Sequence, residues 1–142
     1  MTTTPTKTPR IFNTPDIPAH DRGNGVTTRL FCSESRCAAG VTTGTTTLPV
    51  GRSVQMHSHN CDEQIIILQG QAEAEFNGAR HPIGPMEVAF IPKDTVHCFH
   101  NVGDLPVLML FVYDAGKVTR TFAASGETVE HLSESDLAQP RS

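Results

Sequence analysis

Between Val26 and Tyr113 apolar and polar residues recur mainly with a period of two rather than 3.6. Side chains at i and i+2 of an extended strand share a face, so this alternation predicts half-buried β-strands. Val26 to Phe31 and Val41 to Thr47 are β-branched runs separated by Ser-Glu-Ser-Arg and glycines, and Val88 to Ile91, Val96 to His100 and Val107 to Tyr113 read as further strands. Gln71 to Phe76 turns Ala72, Ala74 and Phe76 inward and Gln71, Glu73 and Glu75 outward, which makes the two glutamates a solvated face. Asn77-Gly78 is the strongest hairpin signal, because both residues accept the positive φ of a type I′ turn.

One run breaks the alternation. Ile65 and Ile67 share the face of Glu63, and Ile66 and Leu68 occupy the opposite one. A strand apolar on both faces must be covered on both, by a second sheet or by another subunit, and a homodimer is expected. The only helical expectation is a short turn around Ser133 to Leu137. Many short strands separated by Gly, Pro and Asn turns predict an all-β sandwich or barrel.

Composition narrows the picture. Residues 1–22 carry Pro5, Pro9, Pro15 and Pro18 among threonines, which excludes a packed helix and predicts an extended arm; 23–123 form the β domain, and 124–142 a polar tail. The 142 residues suffice for one domain with its own core. With 11 Lys plus Arg against 15 Asp plus Glu, the net charge is −4, no electrostatic footprint for nucleic acid or an anionic membrane. Small molecules and a second copy remain as partners. The N-terminus lacks the apolar segment of a signal peptide, and the run from Leu105 to Tyr113 is too short to span a bilayer. A cytoplasmic location is therefore expected, with Cys32, Cys37, Cys61 and Cys98 as reduced thiols and Cys61 as a small buried or turn residue.

The chemistry concentrates between Gly51 and Gly70. His57 and His59 share a strand face, and Asn60 and Asp62 favour a reversal that folds Glu63 back over the same point. His97, thirty-four residues beyond Glu63 and after a Pro-containing turn, enters from a neighbouring strand and completes a three-His, one-Glu shell. His100 has the opposite parity and points away. Ser53 and Gln55 share the parity of His57, which makes Gln55 a candidate pocket residue beside Ile65, Phe76, Phe90 and Met109; Arg52 and Arg80 are not aimed inward. Such walls are mainly apolar and suit a neutral or aromatic carbonyl compound.

This pattern resembles the first motif of the cupin superfamily, a glycine, His-x-His, a glutamate and a closing glycine, at Gly51, His57, His59, Glu63 and Gly70. A second motif is similar at Pro92, His97 and Asn101, but Met86 and Asp94 stand where glycines are usual and Glu87 replaces an aspartate. The resemblance implies a single-domain jelly-roll barrel, or double-stranded β-helix, binding one divalent transition metal ion, with Fe, Mn, Ni, Cu and Zn all compatible. It further implies an enzyme acting on a small carbonyl, enol or phenol-type substrate, an oxygenase ahead of an isomerase, cyclase or lyase. The alternative is a non-catalytic metal- or ligand-binding module.

Overall fold

The computed structural model describes residues 5–138, so the first four residues of the expected arm and the last four of the expected tail lie outside the described residues. Among the described residues twelve strands form two six-stranded sheets in which the pairings are antiparallel. The first sheet orders β1 (His20–Asp21), β2 (Thr27–Cys32), β3 (Thr42–Leu48), β10 (Val107–Tyr113), β5 (Glu63–Gln69) and β8 (Val88–Ile91). The second orders β12 (Thr128–Glu130), β11 (Thr119–Phe122), β4 (His57–His59), β9 (His97–Asn101), β6 (Ala72–Phe76) and β7 (Ala79–Ile83). The architecture is the jelly-roll barrel.

The alternation is realised as a core between the sheets. Met109, Phe111, Ile65 and Ile67 from the first sheet meet Ala72, Ala74 and Phe99 from the second, all buried in one cluster. Cys61 is buried in the same cluster. Phe111 lies across its strand partner Gly44, where a Cβ would collide with the ring and with the Arg29 carbonyl. The glycine inside a β-branched strand is thus a packing requirement.

Turn chemistry follows the residues. Asn77 and Gly78 have φ of 53° and 74° and join Phe76 to Ala79 in a two-residue hairpin. Met86 and Asp94, the two positions without the usual glycine, adopt φ of 65° and 66°. The Glu87 amide donates to the Gly84 carbonyl at 3.0 Å, closing a turn that places Pro85 before the left-handed Met86.

Three strands were not legible in the pattern: β1, β11 and β12. In β11 the inward positions are Arg120 and Phe122, so a buried arginine stands where apolarity would have flagged a strand. Its charge is met by Asp136, fully buried in the short helix α2 (Glu134–Leu137), 3.7 Å from Arg120 and 3.0 Å from Arg22. Ser133 caps that helix, which falls in the short turn expected around Ser133 to Leu137, by accepting from the Asp136 amide at 3.2 Å. The ion group ties residues 131–138 to the barrel. A second short helix, α1 (Glu34–Cys37), follows β2. Among the described residues no helix is long and apolar enough to cross a membrane.

Candidate metal centre

β4 delivers His57 and His59 to the barrel interior, β5 opens with Glu63, and β9 opens with His97 directly opposite His57. All four side chains are buried, at 4% exposure or less. Ligand nitrogens of the three histidines lie within 4.8 Å of one another. His57 Nε2 is 3.1 Å from His59 Nε2, and Glu63 sets Oε2 3.4 Å from His59 Nε2 and Oε1 2.6 Å from His97 Nε2.

Each imidazole has its other nitrogen on a backbone carbonyl: His57 Nδ1 on Gln55 at 2.5 Å, His59 Nδ1 on Thr119 at 3.0 Å and His97 Nδ1 on Thr95 at 2.8 Å. A carbonyl only accepts, so Nδ1 carries the proton and every Nε2 turns a lone pair toward the same point. His97 Nε2 and Glu63 Oε1 are each buried without a hydrogen-bond partner despite their approach. Lone pairs and a carboxylate crowded together in a buried site repel, and a cation among them removes the conflict for all four groups at once. The donor set therefore fits a divalent transition metal ion.

The surroundings reinforce this protonation pattern. Burial first, then Arg120 and the neighbouring rings, push His57 well below the ordinary imidazole range, so it is neutral. For Glu63 burial works upward, and positive charge on the side of His59 and His97 outweighs it and holds the carboxyl well below its usual range, the same bias that a cation placed among these side chains would impose. Tyr113 is the cross-strand partner of Glu63 and hydrogen-bonds to it; burial and that carboxylate push its hydroxyl far up, so it stays a proton donor.

Beside these four side chains lies a cavity of only about 20 Å³, lined among others by Ile65 and Met109. The other pocket expectations change. Phe90 is 59% exposed, because Ala89 and Ile91 take the inward positions of β8 and the parity puts Phe90 outside. Phe76 is half-buried against the core and stacks on His81 instead of lining this cavity.

Gln55 also faces elsewhere. In a regular ladder continuing the His57–His97 pair, His100 would oppose Val54; it opposes Ser53, so β4 carries one extra residue before His57. The slip turns Val54 into the metal-side cavity and leaves Gln55, with Ser53, in a larger pocket that also contains His100.

Two inward arginines went unseen in the sequence. Arg22 and Arg120 both line the small cavity, and Arg120 Nε is buried there without a hydrogen-bond partner. The walls are consequently less apolar than the strand patterns suggest. Each arginine follows or sits within a short strand of weak pattern, so parity offered no signal.

A family model for the cupin domain matches residues 44–113, spanning the strands that carry His57, His59, Glu63 and His97. The chain belongs to the cupin family. This cupin is 29% identical over 108 residues to the polyketide synthase CurC of Streptomyces cyaneus, covering 72% of this chain and 68% of that one. It is 27% identical over 93 residues to a 5-nitrosalicylic acid 1,2-dioxygenase of Bradyrhizobium sp., covering 66% of this chain and 40% of the relative. Among solved structures, the polyketide cyclase RemF from Streptomyces resistomycificus superposes with a TM-score of 0.69 over 92% of this chain and 91% of that one, at 19% identity.

Proposed function

We propose that this cupin is a metal-dependent enzyme that holds one divalent transition metal ion on His57, His59, Glu63 and His97 and acts on a small organic substrate with a carbonyl, enol or phenol oxygen. The observation that carries the reading is the common tautomer of the three histidines, which turns three lone pairs and one carboxylate onto a single point. An ion bound there supplies Lewis-acid polarisation of the substrate oxygen, and a redox-active one also supports oxygen chemistry.

The chain's own residues complete the site. Arg120 offers an unsatisfied Nε–H to negative charge growing on that oxygen, and the protonated Tyr113 hydroxyl steadies Glu63. Because the cavity holds little more than a water-sized group, substrate reaches the centre with one functional group, or a wall moves to admit it.

Redox-neutral ring closure of a polyketide-like substrate is the leading reaction. The polyketide synthase relative aligns over 68% of its own length against 40% for the dioxygenase, which supports a polyketide-type substrate, and the polyketide cyclase RemF is the ring-closing precedent on the same fold. Oxygenation is the second reading, favoured by the dioxygenase relative. With aromatic polyketone and phenol probes, anaerobic turnover without oxygen uptake supports ring closure; a strict oxygen requirement sinks it in favour of the oxygenase. Undiminished turnover by His97→Ala would overturn the metal assignment itself.

A homodimer is part of the proposal. Val88 and Phe90 on edge strand β8, with the adjacent Met86 and Leu68, expose apolar side chains at 55%, 59%, 77% and 41%, on the flank of the strand whose two apolar faces call for cover.

A further inference from the structure

On the outer face of the second sheet, the strand neighbours of His97 build another cluster. Cys98 and His100 project from β9 away from the barrel interior, and Glu75 comes from the paired strand β6, where it is the direct partner of Cys98. His100 Nε2 lies 2.8 Å from Glu75 Oε1 and 3.2 Å from Cys98 Sγ, and Cys98 Sγ lies 3.6 Å from the same oxygen. A tetrahedral zinc shell with ordinary Zn–S, Zn–N and Zn–O bonds sets such donors about 3.3–3.7 Å apart, so shifts of a few tenths of an ångström would admit an ion.

The arrangement has the support that a ligating imidazole needs. Ser53 Oγ sits 2.6 Å from His100 Nδ1, which fixes the ring and aims Nε2 at the thiol and the carboxylate. The one-residue slip in β4 is what brings Ser53, and not Val54, opposite His100. Access is open as well: Ser53, Gln55, Glu75, Cys98 and His100 line a pocket of about 700 Å³ on the surface, with the sulfur at its buried end. Arg80 approaches the rim, with Nη2 3.4 Å from His100 Nδ1 and Nε 3.8 Å from Glu75, but its shortest contact is Nη1 to Glu73 at 3.1 Å, an exposed pair that can hold it away.

We propose that Glu75, Cys98 and His100 form a second, solvent-accessible divalent metal site, selective for borderline-soft ions such as Zn²⁺ and Co²⁺, separate from the centre inside the barrel. Three protein donors of mixed S, N and O type leave a fourth tetrahedral position for water or an external ligand. The site is independent of the proposed activity, because the two donor sets share no residue and face opposite sides of β9.

Cobalt titration of the metal-free full chain tests it. Wild type is expected to take up two equivalents of Co²⁺, one of them giving the near-ultraviolet charge-transfer band of a cobalt–thiolate bond. His97→Ala should lose one equivalent and keep the band; Cys98→Ala should lose the other equivalent and the band. Glu75→Gln, at a partly exposed carboxylate that tolerates replacement, should retain the fold by circular dichroism and weaken the band-forming equivalent at least tenfold. Ser53→Ala should weaken the same equivalent about 10–100-fold, the usual consequence of losing a group that orients a ligating histidine. A wild-type titration without the thiolate band, or a band of unchanged affinity in Glu75→Gln, overturns the proposal.

Discussion

His57 on β4 and His97 on β9 are direct cross-strand partners, with ring centroids 4.5 Å apart and both Nδ1 atoms committed to backbone carbonyls two residues upstream. Two imidazole lone pairs brought together this way in a buried site would be relieved by the proposed cation. At free metal a hundredfold above its dissociation constant, the wild type should gain about 2.7 kcal/mol of stability, a rise of roughly 10 °C in Tm for a chain of this size. In the Cys98→Ala background, so that only the barrel centre reports, His97→Ala should lose most of that rise in a thermal melt with and without Mn²⁺ or Zn²⁺. An equal metal-induced shift in both proteins would remove His97 from the ligand set.

Tyr113→Phe takes one hydrogen bond from Glu63 and leaves the ring packing in place. Stability of the metal-free protein should fall by about 1 kcal/mol. Affinity at the barrel centre should fall about 10–100-fold, read by calorimetric titration in the Cys98→Ala background so that only this site reports. Unchanged affinity would mean that Glu63 is oriented without the tyrosine.

Asp136 gives a pH dependence. Burial raises its pKa, but Arg120 and Arg22 outweigh burial and set the folded value below the ordinary one. Its stabilisation is therefore fully present above the unfolded pKa, about 3.9, and is lost as the pH falls through the lower folded value. Asp136→Asn leaves two buried arginines undercompensated and should cost about 3 kcal/mol near neutrality. Urea unfolding should show the gap between the two proteins narrowing as the pH drops below about 4; a constant gap would deny the ion pair this role.

Met86→Gly should stabilise the protein. Relief of the left-handed backbone at φ 65° is worth about 1–2 kcal/mol against about 0.5–1 kcal/mol for glycine's greater freedom when unfolded. The side chain is 77% exposed, so little packing is lost in the monomer. A net gain of about 0.5–1 kcal/mol in urea unfolding is expected, and a loss would show that Met86 contributes contacts across the proposed dimer interface.

That interface has its own test. Sedimentation equilibrium should give twice the chain mass for the wild type and the single mass for Phe90→Glu, which puts a charge in the middle of the exposed apolar edge. A monomeric wild type would end the dimer proposal.

The sequence by itself determined the strands with a two-residue period, the Asn77-Gly78 hairpin, the inward face of β5 and β10 and the four residues that converge at the barrel centre. These properties are local: backbone geometry fixes which residues share a face, and spacing fixes which can meet. Only the tertiary structure decided which face of β8 is inside, where β4 slips by one residue, and that Arg22 and Arg120 enter the interior. The slip before His57 arises from pairing with β9, which no window around residues 53–57 contains. Arg120 is tolerated inside because Asp136, sixteen residues later and at the end of the described chain, brings the opposite charge. His100 likewise gained partners from β6 and the slipped strand where parity alone offered only an outward side chain. Periodicity records the burial of single strands, whereas compensation of a buried charge and a shift of register are properties of pairs distant in sequence.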